Sequence, residues 1–82
     1  MTTSKFACPC CAFRTLDESP PGTFQVCAVC FWEDDAVQFE DPTAYGANAV
    51  SLLEAKRNFA AFGAVTDAAR GSVRAATTEE RA

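Results

Sequence analysis

Five cysteines, all between positions 8 and 30, set the terms on which this chain can fold. Cys8-Pro9-Cys10-Cys11 and Cys27-Ala28-Val29-Cys30 are separated by the fifteen residues from Ala12 to Val26. Taken through Cys8 and Cys11, the pattern is C-x2-C-x15-C-x2-C, within the spacing range of four-cysteine zinc sites. A C-x2-C turn aims two sulfurs at one point, and an excursion of this length brings a second pair back to meet them. Four thiolates then close a tetrahedron around one Zn²⁺ and leave no position open for water or substrate. Disulfides explain the pattern less well, because five is odd and nothing marks the chain as secreted. Spacing does not separate zinc from iron in a rubredoxin-like site, since four sulfurs hold either metal. Cys10 lies outside the repeated x2 spacing. Its ordinary role is a small side chain packed in the turn, and a thiol poised for oxidation is the alternative.

The metal matters because the chain is short. Eighty-two residues make one domain with a marginal core. Metal binding to small domains contributes about 10–16 kcal/mol, comparable to a whole domain's stability. The metal-free chain is therefore expected to be largely unfolded. Histidine is absent, which removes the commonest general base and the commonest nitrogen ligand. With a closed four-sulfur site as well, enzyme activity is not expected. From Thr15 to Ala55 there are eight acids and no Lys or Arg, and the chain carries a net charge of −4. Four thiolates with one divalent cation make it more negative still. Such a segment repels phosphates, which disfavours a nucleic-acid partner, and it steers a basic protein surface instead. No apolar run has membrane-spanning length and no signal-peptide apolar region follows Lys5, so the expected setting is cytoplasmic, without a membrane.

Along the chain, Phe13-Arg14-Thr15-Leu16 and Thr23-Phe24-Gln25-Val26 each alternate apolar with polar, the period of a half-buried strand. Asp17-Glu18-Ser19-Pro20-Pro21-Gly22 lies between them as a turn cluster, which predicts a hairpin flanked by the two cysteine turns. Val37-Gln38-Phe39 reads as a third short strand ended by Asp41-Pro42. Ser51 and Glu54 match a capping box, so a helix is expected over about 51–62, with Leu52, Ala55, Phe59 and Phe62 on one face and Gly63 as its stop. Leu53 is expected to lie under the tail. The predicted fold class is a small α+β zinc ribbon: a metal-stapled antiparallel hairpin or three-stranded sheet with one C-terminal amphipathic helix. Residues 1–63 form that domain and 64–82 a partly ordered or flexible tail. The rings of Phe24, Phe31, Phe39, Phe59 and Phe62 are expected in the core, with Trp32 the exception. Backbone N–H groups of the turns, with Lys5 and Arg14 near the first, are expected to support the sulfurs.

The stretches Cys8-Pro9-Cys10-Cys11, Cys27-Ala28-Val29-Cys30-Phe31-Trp32-Glu33-Asp34-Asp35, Asp41-Pro42 and Gly46-Ala47-Asn48-Ala49-Val50-Ser51-Leu52 resemble the bacterial cysteine-rich CPCC proteins. Glu54-Ala55, Asn58-Phe59 and Phe62-Gly63 fit the same pattern, which covers residues 6 to 63. Ala12 stands where a glycine usually follows the first cysteine turn, Ala28 where proline is usual, and Ala36 where glycine is usual. The four ligand positions Cys8, Cys11, Cys27 and Cys30 are intact. The resemblance implies a small zinc-ribbon-like fold. The reading that follows is a zinc-stabilised acidic module that binds a basic protein, as an immunity protein would neutralise a toxin by occlusion. Its candidate contacts are Glu33, Asp34, Asp35, Glu40 and Asp41, with Trp32 as an aromatic anchor. The alternatives are a nucleic-acid-associated zinc ribbon, which would need Lys5, Arg14, Lys56 and Arg57 on one face, and an iron or thiol redox protein.

Overall fold

In the computed structural model, which describes residues 5–81, the chain reverses at each cysteine pair by the same device. At the first pair the Ala12 N–H donates to the Cys8 carbonyl at 2.8 Å and the Cys8 N–H to the Phe13 carbonyl at 2.9 Å. At the second, the Phe31 N–H donates to the Cys27 carbonyl at 2.8 Å and the Cys27 N–H to the Trp32 carbonyl at 2.9 Å. Ala12 and Phe31 are equivalent in this scheme, and both adopt left-handed backbone, with φ of 69° and 76°. Each knuckle therefore joins two antiparallel extended segments. Strand β1 (Phe6–Ala7) pairs with β2 (Arg14–Leu16) across the first, matching Phe6 with Leu16 and Ala7 with Arg14. Across the second, Val26 bridges Glu33, and the pairing continues as the Phe24 N–H donates to the Asp34 carbonyl and the Asp34 N–H to the Gln25 carbonyl, each at 2.9 Å.

This arrangement corrects the predicted hairpin. The runs 13–16 and 23–26 do alternate, but neither pairs with the other. Each instead pairs with the segment beyond its own knuckle. The physical reason is loop length: a C-x2-C turn closes a much shorter loop than the six residues from Asp17 to Gly22, and shorter closure costs less entropy. The third strand is also corrected. Val37-Gln38-Phe39 lies in helix α1 (Ala36–Glu40), because the Asp35 side chain caps it, accepting from the Val37 N–H at 2.8 Å and the Gln38 N–H at 3.4 Å. Among the described residues the sheet has two strands.

Helix α2 (Leu52–Phe62) starts where the Ser51 hydroxyl accepts from the Glu54 N–H at 3.2 Å. It stops at Gly63, whose φ of 85° is cheap only for glycine, and whose N–H donates to the Phe59 carbonyl. Leu52 and Ala55 are buried, and Phe59 and Phe62 pack against the same core. The other aromatics reverse their expected places. Trp32 is fully buried, while Phe24, Phe31 and Phe39 are 62%, 43% and 42% exposed. Beyond the left-handed Phe31 the backbone is extended through the Glu33 bridge, where successive side chains face opposite sides, so Trp32 and Asp34 point inward and Glu33 away from the core, while Phe31 stays at the turn with its ring half-exposed. Trp32 is therefore a core residue and not a partner anchor.

Past Gly63 the chain folds back over the knuckles. Ala64, Val65 and Ala69 are buried, a 3₁₀ turn spans Asp67–Ser72, and helix α3 (Thr78–Arg81) lies against β2. The Val65 N–H donates to the Cys30 carbonyl at 2.9 Å and the Arg74 N–H to the Ala28 carbonyl at 3.2 Å. Arg74 grips both carboxylate oxygens of Glu80 at 2.8 Å, which holds that carboxyl down to about 2. The segment docks on the knuckles and leaves Leu53 at 41% exposure, so Leu53 is not its cover.

One polar hub fastens the irregular stretch from 43 to 50. Asn48 accepts from the Glu33 N–H at 2.8 Å and donates to the Glu33 carbonyl at 2.8 Å, standing in for a neighbouring strand. It also donates to the Gln38 Oε1 at 2.9 Å. Gln38, fully buried, donates to the carbonyls of Ala44 and Val50 at 3.1 and 2.9 Å. The Asp35 carboxylate accepts the Ala47 N–H at 2.9 Å, and this bond first, then those to Gln38 and Val37, holds its carboxyl below the usual range. Gly46 is required beside it, since a Cβ there would stand 2.6 Å from Asp35 Oδ2. Replacing Asn48 with Ala leaves several buried polar groups unpaired at once. Asn48→Ala is expected to cost about 2–4 kcal/mol, read as a fall in urea midpoint at unchanged slope.

Candidate metal centre

The two knuckles bring their sulfurs together. The Sγ atoms of Cys8, Cys11, Cys27 and Cys30 all lie within 4.8 Å of one another. Cys8 approaches Cys30 at 3.6 Å and Cys11 approaches Cys27 at 3.7 Å, so both short contacts join one knuckle to the other. A disulfide needs about 2.05 Å between sulfurs. A tetrahedron with metal–sulfur bonds of about 2.3 Å has edges of about 3.8 Å. The two cross-knuckle spacings lie close to that edge and far from a disulfide, and all five cysteines are free thiols. Four thiols in this geometry are close enough to hold one metal ion.

The electrostatics explain why a cation belongs there. Cys27 is held far below the ordinary thiol range by hydrogen bonds from Cys11 first, then Cys30 and Cys8, with a smaller one from Thr15. Cys8 is also lowered, chiefly by Cys11. Cys30 is pushed far up, first by its hydrogen bond with Cys10, and Cys11 is raised, first by Cys27. Sulfurs this close and this buried do not all carry charge alone. A divalent ion reverses that balance and lets four thiolates coexist. Cys27 is the best supported of them: the Thr15 hydroxyl donates to its Sγ at 3.0 Å and the Val29 N–H at 3.4 Å. Lys5 instead pairs with Asp17 at 2.5 Å. Cys10 is 8% exposed, packed in the core beside the cluster and outside the group of four.

Among the residues expected to meet a partner, three are withdrawn from the surface. Trp32 and Asp34 are fully buried and Asp35 is 8% exposed. Both carboxylates do internal work: Asp34 accepts from the Thr23 N–H at 3.0 Å and its hydroxyl at 2.8 Å, and Asp35 caps α1. An acid just before an apolar run is a capping signature, and this accounts for Asp35, whereas Asp34 serves the backbone and hydroxyl of Thr23. Glu33 is half-buried; Glu40 and Asp41 are exposed. Asp41 is tied to Thr43, whose hydroxyl at 2.7 Å is the main cause of its lowered carboxyl pKa. Sequence reading missed Thr15 and Asn48. The alternation that buries Leu16 does not single out Thr15, but its place opposite a cysteine pair is a usable signal. Asn48 has none beyond lying in the stretch that carries the family resemblance.

A paired-knuckle fold closed around four convergent thiols defines a small cysteine-cluster domain with the geometry to hold a metal ion. The chain belongs to the cysteine-rich CPCC family, whose model matches residues 6–80. No curated protein matches it.

Two outcomes follow from this geometry. Stripping a bound metal with a chelator is expected to abolish the near-UV circular dichroism of Trp32, because the four sulfurs then lose the ion that would join the knuckles, and contacts such as the Thr15–Cys27 hydrogen bond do not replace it. Ala12 pays for left-handed backbone that a glycine adopts freely, at an exposed position where no packing is lost. Ala12→Gly is expected to stabilise the loaded protein by about 1 kcal/mol, a rise in melting temperature of about 4–8 °C.

Proposed function

We propose that this chain is a zinc-stapled acidic module that binds a basic protein, acting by steering and occlusion, as an immunity protein acts on a toxin. A site with four protein sulfurs leaves the metal no position for a substrate, which supports a structural role for one Zn²⁺. Reduced thiols and a labile metal suit a reducing, cytoplasmic compartment. The observation that carries the binding reading is the state of the acids. The ion pairs among the described residues use Asp17, Asp67 and Glu80. Glu18, Glu33, Glu40 and Glu54 make no ion pair there, and no Lys or Arg lies between Thr15 and Ala55 to neutralise them. Unspent charge of one sign raises the encounter rate with a surface of the other.

The zinc-loaded chain, immobilised and exposed to extract of its source cell, is expected to retain a protein at low salt and release it as ionic strength rises. Reversing Glu40 and Asp41 together to Lys should slow that association about tenfold at low salt and leave it nearly unchanged at high salt. Retention of nucleic acid instead, or iron in place of zinc by elemental analysis, overturns the corresponding part of the proposal.

A further inference from the structure

A groove of about 310 Å³ runs between the exit of the second knuckle, the 47–49 loop and the segment 65–72. Its floor is Val65 and Ala69, each 5% exposed, and its rim carries Val26 and Phe31, 49% and 43% exposed. Glu33 lines the same groove. Among the described residues its carboxylate has no hydrogen bond or ion pair, although it is half-buried. The walls are fixed in advance. Asn48 holds Glu33 by both backbone groups, and the Val65 N–H is bonded to the Cys30 carbonyl, so the floor is tied to a cysteine of the cluster. Phe31 holds its half-exposed ring at the rim from a left-handed backbone position that glycine would occupy at less cost.

An apolar trough with one unpaired carboxylate on its wall has a definite complement. We propose that this groove is the docking site for a segment of the partner protein in which an apolar side chain neighbours a Lys or Arg. The apolar group lies on Val65 and Ala69 between Val26 and Phe31, and the cation reaches Glu33. Glu33 is the carboxylate that lines this groove, and its neighbours Asp34 and Asp35 are turned away from it into internal hydrogen bonds. A preformed groove spares the partner segment part of the ordering cost of association. This inference deepens the protein-binding reading and rests on it. A second copy of the chain is the competing occupant, because α2 presents exposed Leu53 beside Lys56 and Arg57.

Phage-displayed random peptides, selected on the zinc-loaded full chain, test the assignment. Enriched sequences are expected to place a Leu, Met or Phe within one helical turn of a Lys or Arg. The strongest, made as a synthetic peptide, should shift the amide resonances of Val26, Phe31, Glu33 and Val65. Glu33→Gln should weaken it about tenfold, and Phe31→Gly at least as much, with melting temperatures within about 5 °C of the parent. If Phe31→Gly does not fold, Glu33→Gln alone decides the matter, since that side chain has no internal partner to lose. Enriched peptides that shift other resonances and ignore Glu33→Gln overturn the groove while leaving the protein-binding reading intact. No enrichment at all overturns the groove, and the extract experiment then judges the wider reading separately. Self-association that Glu33→Gln abolishes assigns the groove to a second copy and overturns the partner assignment.

Discussion

The contact on which the rest depends is the meeting of sulfurs from opposite knuckles, Cys8 with Cys30 and Cys11 with Cys27. Among the described residues the sheet has two strands, one of them two residues long, and the second knuckle adds a bridge and a few backbone hydrogen bonds. Elements of that size do not hold together on backbone hydrogen bonds alone. Buried apolar surface does not make up the difference, because much of the core is cysteine and alanine around one tryptophan. Four sulfurs close enough to share one metal ion could supply the missing long-range tie. Their meeting also explains why the core gathers around the cluster instead of around a sheet face.

A second closure is polar. Asp35, Gln38 and Asn48 form one connected set that satisfies the backbone of the 43–50 stretch from inside. Full satisfaction is what makes such a buried set tolerable, and it fixes one conformation where a looser apolar contact would admit several. Asn48 has a further effect. By occupying the Glu33 N–H and carbonyl it covers a strand edge that would otherwise be open to another chain. The acidity of this region thus divides into two kinds: carboxylates spent on internal hydrogen bonds, and carboxylates left for solvent or a partner.

The four-thiol cluster and helix α2 were legible in the sequence because each follows from local rules. Equal x2 spacing gives convergent sulfurs, and a capping serine with a glycine stop brackets a helix. Strand pairing was not legible. Alternation reports which side of a strand is buried and says nothing about which segment lies beside it. Val37-Gln38-Phe39 shows the ambiguity of short apolar runs, where the preceding Asp35 cap decides for helix. The aromatic reversal has the same origin. Counting rings cannot tell Phe31 from Trp32, but Phe31 takes the left-handed position that closes the knuckle and Trp32 is the first residue past it, turned into the core. Among the candidate contacts, Asp34 and Asp35 misled because buried and solvated carboxylates look alike in a sequence.

The hydrogen bonds from Val65 to Cys30 and from Arg74 to Ala28 make the last eighteen described residues part of the clasp itself. A shortened chain ending at the helix stop would present those two carbonyls, and the buried faces of Val29 and Cys30, to water. Solvent would then reach the sulfurs from the side that the segment now shields, and competing ligands would follow the same route. A protease that nicks the chain near Gly63 would accordingly be expected to loosen, from a distance, the hold of the cluster on any ion it carries.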